Sequence, residues 1–392
     1  MVAEPDFYQL QSQSHLDPSR RLAEIQESRP ASRVKIWNGT QPWLITRYDD
    51  VRSVLADPRV SDDSTDPAYP HTSVAIQEVR STFATFLNLD APERSFYRRV
   101  VAGEFTAARS QKCREELVQM VNKTIDDLLK LEPPVNFVEE FVLVMAWKMT
   151  ARMLGARECD HEFYKTRAHT LASGASTHQE VVAASGEILV FMDNLVTDKK
   201  RQPGDDLLSR LIVNHVFKGD ISHEQLVATA RLLLTGGHTT TASMTALGAL
   251  LLLLGPDQFG QLRADRSLIG NAFEEMLRFC TIAHIGRRRV VREVLTLAGV
   301  TIHEGEAIIA DHLIANRDPR AFLNPDEFDI HRDTTGHLAF GAGPHQCLSP
   351  AAGGVLPPAR AGPHSAAGRQ PGRRRLERRG AHPRIRRIDV HL

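Results

Sequence analysis

The sequence predicts a mainly α-helical single domain with a small β portion. Apolar residues recur at helical spacing from Asp50 to about Lys200, and again from Ser222 to Gly255. Alternation of apolar and polar residues is confined to short stretches such as Val34 to Thr46. The chain has 392 residues, of which 42% are hydrophobic and 24% are charged, the composition of an ordinary soluble globular protein.

The β portion is predicted from two separate stretches. Asn38-Gly39 lies between alternating residues and is a strong signal for a two-residue hairpin turn. Leu295 to Ala310 predicts a second hairpin. Between them, the helical pattern is interrupted by the polar loop Ser61 to Ser73 and by Pro133-Pro134. We therefore expect small sheets at either end of a helical body.

One long helix is predicted between Ser222 and Gly255. Ser222 followed three residues later by Gln225 forms a capping box, and Gly255-Pro256 is a stop signal. Such a helix would run about 50 Å at 1.5 Å per residue, enough to cross a whole domain. The length therefore favours one domain over two.

The same helix must be weighed as a membrane span, because the run between Arg231 and Asp257 carries no formal charge. Its centre is the polar cluster Gly236 to Thr241, and no Trp or Tyr belt flanks it. We therefore expect a buried central helix and no membrane association.

The chain carries no net charge, so its overall charge does not favour nucleic acid as a partner. The chain has 48 basic and 48 acidic side chains, so no whole-chain field attracts nucleic acid. Four widely spaced cysteines without a CxxC pair suggest neither a disulfide framework nor a structural zinc site. The N-terminus does not read as a secretory signal. We expect a cytoplasmic protein that does not bind nucleic acid.

The segment Phe340 to Cys347 carries the strongest chemical signal. Taken alone, one cysteine is more often a small buried hydrophobe than a ligand. Here it follows two glycines and a histidine, so that the segment resembles the haem-binding loop FGxGxHxC of the cytochrome P450 family. The resemblance implies haem b with Cys347 as the thiolate ligand of iron, a ligand that favours O–O bond cleavage. It implies cofactor contacts for Phe340, Gly341, Gly343 and His345.

A second motif is found upstream, in the order expected for that family. Glu275 and Arg278 match ExxR, whose i,i+3 spacing places a carboxylate beside a guanidinium on a helix. The alternative is a surface ion pair of little energetic weight. The stretch from Ala315 to Arg332 resembles the family's meander, which implies a structural network of Glu275, Arg278 and Arg332.

Three arginines are implied as donors to the haem propionates. The segment from Asp90 to Arg98 resembles the start of the family's third helix, with Arg94 where the family has histidine. An arginine can also bind a carboxylate in a bidentate manner, so Arg94 and Arg98 are both assigned to propionates. The alternative is two solvated helix arginines. Alignment on Gly299 to Ile302 implies Arg288 as the third donor, with its neighbours Arg287 and Arg289 as open alternatives.

The centre of the long helix resembles the family's oxygen-binding motif (A/G)Gx(D/E)T. The resemblance implies that Gly237 opens a groove beside the haem and that Thr240 hydrogen-bonds the bound oxygen. Thr239 stands where the family has an acid, and a hydroxyl cannot feed protons from solvent as a carboxylate can. Proton delivery is therefore assigned to His238, water or a substrate group. The alternative is a polar patch that bonds its own backbone.

The resemblance covers about Asp6 to Leu348, which defines a haem domain at 1–348. The segment 349–392 is rich in Pro, Gly and Arg and carries ten arginines against two acidic residues. A helix packing under the haem is expected after Cys347-Leu348, and this composition disfavours it. We predict that 349–392 is an atypical, poorly ordered tail.

The resemblance implies a monooxygenase that inserts one oxygen atom from O2 into a small organic substrate of secondary metabolism. The sequence has no GxGxxG, no P-loop and no cysteine cluster, so the electrons are expected from a separate ferredoxin and its reductase. Two alternatives remain open. One is the nitric oxide reductase branch of the family, which takes electrons directly from NADH and is suggested by the absent acid. The other is a catalytically impaired remnant caused by the altered tail.

Overall fold

The computed structural model describes residues 6–8, 16, 18–83, 85–282 and 285–348. The tail predicted at 349–392 lies outside the described residues. The helices, in chain order, are α1 (Arg20–Ser28), α2 (Tyr48–Ala56), α3 (Val74–Thr82), α4 (Glu93–Ala102), α5 (Ala107–Leu128), α6 (Leu143–Leu154), α7 (His161–Ala172), α8 (His178–Arg201), α9 (Leu207–Leu211), α10 (His223–Leu254), α11 (Pro256–Ala264), α12 (Ile269–Cys280) and α13 (His312–Ala315). The strands are β1 (Asp6–Phe7), β2 (Ala31–Lys35), β3 (Trp43–Ile45), β4 (Val60–Ser61), β5 (Arg287–Val291), β6 (Leu295–Leu297), β7 (Val300–Ile302) and β8 (Ala307–Ala310). The predicted mainly helical class with a small β portion is confirmed.

The long helix α10 organises the body of the protein. It begins with the predicted capping box, in which the Ser222 N–H donates to Gln225 Oε1 at 2.7 Å and the Gln225 N–H donates to Ser222 Oγ at 3.2 Å. At 1.5 Å per residue it runs about 48 Å and packs against α6, α8 and α12. By length and composition α10 could span a membrane, but 44% of its most apolar stretch is buried inside the protein. It is the core helix that the sequence predicts.

The main hydrophobic core lies where α6, α7, α8 and α10 meet. Trp147, Tyr164, Ile188 and Leu234 are all buried there at 1% exposure or less. Each large apolar side chain removed from water stabilises the fold by about 1.5–3 kcal/mol. This core packs against the N-terminal half of α10, whereas α12 packs against its C-terminal half, so the centre of α10 is held between the two clusters.

The larger sheet has the strand order β1-β2-β3-β8-β5-β4. The predicted hairpin at Asn38-Gly39 is present: β2 and β3 are antiparallel with Ala31 opposite Ile45. The second predicted hairpin is correct only for β6 and β7, which pair with each other. β8 leaves that hairpin and pairs parallel with β3 and antiparallel with β5, because its buried apolar residues pack in the larger sheet. The chain thus returns to its N-terminal sheet just before the Cys347 loop.

Candidate functional site

The Cys347 loop is held by backbone hydrogen bonds. The Gly341 N–H donates to Leu338 O at 2.8 Å, and the Cys347 N–H donates to Phe340 O at 2.9 Å. Gly341 and Gly343 have φ of +73° and +68°, the left-handed region that glycine enters without strain. The thiol of Cys347 is exposed at the end of this loop. The loop is therefore built to present one sulfur atom in a fixed position.

Gly343 is required for a close approach to α2. A Cβ on Gly343 would lie 2.7 Å from both Ala56 Cα and Leu55 O, a distance that real Cβ atoms do not adopt. The backbone of the loop therefore lies directly on the end of α2. Two of the predicted loop residues, Gly341 and Gly343, act by shaping the loop.

Phe340 connects the loop to the long helix. Its ring packs against a buried cluster that includes Met244 and Leu247 of α10 and Phe279 and Cys280 of α12. A shift of α10 would therefore displace Phe340, the first residue of the Cys347 loop. The structure brings together Phe340 and α10, as the predicted site requires.

Guanidinium groups surround the Cys347 side of the loop. Arg94 Nη1 lies 2.6 Å from His345 Nε2, which accepts the hydrogen bond as a neutral ring. Burial and the charges of Arg289 and Arg94 lower the pKa of His345 to about 3, so this ring is uncharged at neutral pH. Burial also lowers the pKa of Arg98, and the nearby Cys347 opposes that shift. The structure thus brings Arg94, Arg98, His345 and Cys347 into one electropositive region.

The three arginines of β5 are divided between the two faces of the strand. Arg289 Nη1 forms an ion pair with Asp62 Oδ1 at 3.1 Å, and Asp62 Oδ2 lies 3.4 Å from His345 Nδ1. Arg287 is also close to Asp62 and Cys347, each of which opposes the lowering of its pKa by burial. Side chains alternate along a strand, so Arg288 points to the other face.

On that other face, Arg288 donates to the backbone carbonyl of Pro70 and lies near Tyr8. The structure therefore does not bring Arg288 to the Cys347 loop, and it places Arg287 and Arg289 there instead. Sequence analysis selected Arg288 and left these two neighbours as alternatives. The signal that could have identified them is the two-residue period of a strand, which puts Arg287 and Arg289 on one face whatever the alignment.

The predicted oxygen motif lies at the centre of α10. Gly236, Thr239 and Thr240 form an exposed patch on a helix that is otherwise largely buried. Thr240 Oγ1 donates to Gly236 O at 2.5 Å, one turn earlier. Gly237 faces α6, where an added Cβ would lie 3.7 Å from Thr150 Oγ1. Of the two adjacent glycines of the motif, Gly236 is therefore the one on the exposed face, whereas sequence analysis assigned Gly237 to the cofactor.

His238 is turned away from that exposed patch. It is 1% exposed, and its ring meets the ring of Tyr164 at 4.8 Å between centroids in an edge-to-face geometry. Burial lowers the pKa of His238 to about 4. A buried neutral ring on the opposite side of the helix is poorly placed to deliver protons to Thr240. The structure brings Thr239 and Thr240 together, but not His238.

The predicted Glu-Arg-Arg network is present and buried. Arg278 Nε and Nη2 donate to Glu275 at 2.7 and 2.9 Å, with both side chains 0% exposed. Arg332 Nε donates to Glu275 Oε1 at 3.1 Å, and Arg278 Nη1 donates to Asn316 O at 2.7 Å. A buried carboxylate held by two guanidiniums joins α12 to the stretch after α13. It fixes the chain that leads into the Cys347 loop.

These residues fit the haem that the resemblance implies. Cys347 supplies one exposed thiol, the donor that holds haem iron in this class of site. Arg94, Arg98, Arg287 and Arg289 supply positive charge that two carboxylates would neutralise. The exposed patch at Gly236, Thr239 and Thr240 leaves one face of α10 uncovered by described protein.

Comparisons with known proteins agree with this geometry. The cytochrome P450 family model matches residues 160–348. The chain is 38% identical over 319 residues to a vitamin D3 dihydroxylase of Streptomyces griseolus, covering 81% of this chain and 78% of that protein. It is 35% identical to a pentalenic acid synthase of Streptomyces avermitilis, covering 85% and 82% of the two chains.

Solved structures show the same likeness. The crystal structure of a mycinamicin VIII C21 methyl hydroxylase from Micromonospora griseorubida superimposes with a TM-score of 0.84 at 33% identity, covering 89% of each chain. The crystal structure of CYP105N1 from Streptomyces coelicolor A3(2) superimposes with a TM-score of 0.82 at 33% identity, covering 90% of this chain and 88% of that one. With the sulfur-bearing loop, the buried Glu275 network and these relatives taken together, the chain belongs to the cytochrome P450 family and is a haem-dependent monooxygenase.

Proposed function

We propose that this protein inserts one oxygen atom from O2 into a small organic substrate of secondary metabolism. The relatives support this, since their names describe hydroxylation of vitamin D3 and of mycinamicin VIII and the synthesis of pentalenic acid. The observation that carries the proposal is the exposed Cys347 thiol at the end of a rigid loop, with guanidiniums nearby.

The cofactor proposed is haem b, bound without covalent links to its vinyl groups. The sequence has no CxxCH motif, which is the attachment signal of c-type haem. Bound through Cys347, haem would supply the chemistry that activates dioxygen. Arg94, Arg98, Arg287 and Arg289 would hold its propionates by charge-assisted hydrogen bonds.

The exposed residues of α10 would contribute to proton delivery. Gly236 leaves space beside the helix, and the Thr240 hydroxyl is exposed there. We propose that this hydroxyl orders water and so provides a path for solvent protons at this face of α10. Since Thr239 cannot ionise as a carboxylic acid, these protons must come from solvent or from a substrate group.

The electron donors proposed are a ferredoxin and its reductase. An open cavity of about 580 Å³ next to the loop is lined by Arg94, Arg98 and Arg99 together with Gly343 and Pro344. Because Arg94 and Arg98 are assigned to the propionates, the positive charge left at this opening is that of the exposed Arg99, which would complement an acidic electron carrier and speed its association. Gly343 and Pro344 of the Cys347 loop line this cavity, which supports the proposal. The expected compartment is the reducing cytoplasm, where Cys113 and Cys159 would stay as thiols.

A carbon monoxide difference spectrum of the haem-loaded, reduced protein tests the proposal. A red-shifted Soret band is expected for an intact thiolate site. Absence of this band from haem-supplied protein would contradict the proposal and favour the impaired remnant.

The same protein should then be given NADH with ferredoxin and reductase, and in parallel NADH with nitric oxide and no protein partner. NADH oxidation that requires ferredoxin and reductase supports the monooxygenase. Rapid NADH oxidation with nitric oxide and no protein partner would instead indicate a nitric oxide reductase. That alternative is favoured by Thr239, which stands where the family has an acid.

A further inference from the structure

A carboxylate lies among the guanidiniums near the Cys347 loop. Asp62 directly follows β4, and the antiparallel register that places Ser61 opposite Val290 brings Asp62 opposite Arg289. Cross-strand neighbours of opposite charge attract each other. The ion pair between Arg289 Nη1 and Asp62 Oδ1 measures 3.1 Å, with side chains 3% and 15% exposed. The register of the sheet thus fixes an anion beside an arginine that is assigned to a propionate.

Further hydrogen bonds hold Asp62 in this position. Its backbone N–H donates to Asp90 Oδ1 at 3.2 Å. Its Oδ1 also accepts from the Tyr69 hydroxyl at 3.0 Å, and that hydroxyl accepts from Arg80 Nη1 at 2.8 Å. Burial raises the pKa of Asp62, and the charge of Arg289 opposes this rise most strongly. The carboxylate is therefore tied to several parts of the chain and has little freedom to turn away.

His345 links Asp62 to the rest of the proposed propionate site. The Nδ1 atom of His345 lies 3.4 Å from Asp62 Oδ2, and its Nε2 atom lies 2.6 Å from Arg94 Nη1. Burial lowers the pKa of His345 most, followed by the charges of four arginines, which are Arg289, Arg94, Arg98 and Arg287. Asp62 thus contacts the same group of positive charges that would neutralise the two carboxylates of haem.

A haem propionate would bring a second carboxylate to Arg289. A guanidinium has five N–H donors, so Arg289 can contact Asp62 through one nitrogen and a propionate through the others. Two carboxylates that share one cation repel each other, and the repulsion is stronger where burial limits screening by water. Arg289 should therefore hold a propionate less tightly than it would without the charge of Asp62.

We propose that Asp62 is a positioning residue that sets the affinity for haem, because its carboxylate competes with a haem propionate for Arg289. The inference rests on the proposed assignment of Arg289 to a propionate and gives Asp62 no contact with the reacting atoms. The same negative charge also lowers the reduction potential of the bound iron, since an anion nearby disfavours the added electron.

The test removes the charge of Asp62 and keeps the shape of the side chain. Asp62→Asn retains an oxygen atom that can accept from Tyr69 and Arg289. Haem transfer from the loaded protein to an excess of apomyoglobin should slow by about threefold to tenfold, the effect of one charge interaction of up to about one pKa unit. The reduction potential of the iron should become more positive. Haem transfer that is unchanged or faster, or a potential that is unchanged or more negative, would overturn the inference.

The direction of the effect separates competition from a structural role. If Asp62 only held Arg289 in place, Asp62→Asn would release haem faster, as Arg289→Gln should. Asp66→Asn is the matched control, because the Asp66 side chain is also 15% exposed but pairs with the exposed Arg292. This control should leave the transfer rate and the potential unchanged, and effects as large as those of Asp62→Asn would contradict the inference.

The carbon monoxide spectrum of each haem-loaded protein is recorded first. Absence of the red-shifted band from the unaltered protein would contradict the proposed function itself. Loss of the band in Asp62→Asn alone would show that Asp62 has a structural role, and would contradict only the inference about competition.

Discussion

The backbone N–H of Cys347 donates to the carbonyl oxygen of Phe340 at 2.9 Å. This bond closes the loop directly before the sulfur atom, while the Phe340 ring is packed against α10 and α12. The position of the thiol is therefore set by the helical core and does not depend on the loop alone. A ligand atom held in this way needs little reorganisation when a metal binds.

The first prediction concerns the thiol. Cys347→Ser should fold but should lose the red-shifted carbon monoxide band completely, because a hydroxyl does not replace a thiolate as a soft, electron-donating ligand. Cys159→Ser is the control. Cys159 is also exposed but lies far from Cys347 in the sequence, so this variant should keep the band. An unchanged spectrum in Cys347→Ser would remove the basis of the proposed function.

The second prediction separates the two faces of β5. Arg289→Gln should weaken haem retention by about tenfold to a hundredfold, since one charge-assisted hydrogen bond is lost. Arg288→Gln should leave haem retention close to that of the unaltered protein, because Arg288 contacts Pro70 on the other face. The measurement is the rate of haem transfer to an excess of apomyoglobin. If Arg288→Gln lost haem faster than Arg289→Gln, Arg288 would be the propionate donor.

The third prediction concerns the buried network. Glu275→Gln leaves the buried Arg278 and the adjacent Arg332 without their anion, which should lower the free energy of unfolding by about 3–5 kcal/mol. Glu24→Gln breaks an exposed i,i+3 pair with Arg21 and should cost less than about 1 kcal/mol. Denaturant unfolding of both variants provides the comparison. Equal effects would show that the Glu275 network adds nothing beyond a surface pair.

The fourth prediction is a pH dependence caused by His238. Its pKa is about 4 in the folded protein, against about 6.5 when unfolded. Above pH 6.5 both states are neutral; as the pH falls from 6.5 towards 4, only the unfolded chain takes up the proton, so stability is lost. Between pH 7 and pH 5, the free energy of unfolding of His238→Gln should therefore fall by about 2 kcal/mol less than that of the unaltered protein.

Denaturant unfolding at the two pH values gives this difference. The exposed His303→Gln serves as the control. If the unaltered protein and His238→Gln lose the same free energy between pH 7 and pH 5, the ring is not kept neutral by burial.

The fifth prediction concerns Thr240. Thr240→Val keeps the shape of the side chain and removes the hydroxyl that donates to Gly236 O. With ferredoxin and reductase supplied, the hydrogen peroxide released per NADH oxidised should rise several-fold, because proton delivery is disturbed. Thr245→Val removes a similar bond to Thr241 O one turn later and should leave this ratio unchanged. If the two variants release equal amounts of hydrogen peroxide per NADH oxidised, the Thr240 hydroxyl has only a structural role.

Local signals were sufficient for several elements. The capping box at Ser222, the turn at Asn38-Gly39 and the i,i+3 pair Glu275 and Arg278 each depend on residues a few positions apart, and all three are present as predicted. Such features form through short-range hydrogen bonds and turns, so their residues carry the information directly. The loop ending at Cys347 belongs to the same group, because its glycines specify its shape.

Other features depend on contacts between distant parts of the chain. β8 pairs with β3 across more than 260 residues, and no local pattern distinguished this pairing from a hairpin with β7. Which of three consecutive arginines faces Cys347 depends on the register of β5 in that sheet. The orientation of His238 towards Tyr164, and of Gly236 away from α6, depends on how α10 is rotated in the core.

The sequence by itself determined the helical class, the long central helix, the pair of Glu275 and Arg278 and the glycine-containing loop that ends at Cys347, since each is encoded by residues close together in the chain. Only the tertiary structure decided that Arg287 and Arg289 lie on the Cys347 side of β5 and that His238 is buried. The physical reason is that the direction of a side chain on a strand or helix is fixed by what the whole element packs against.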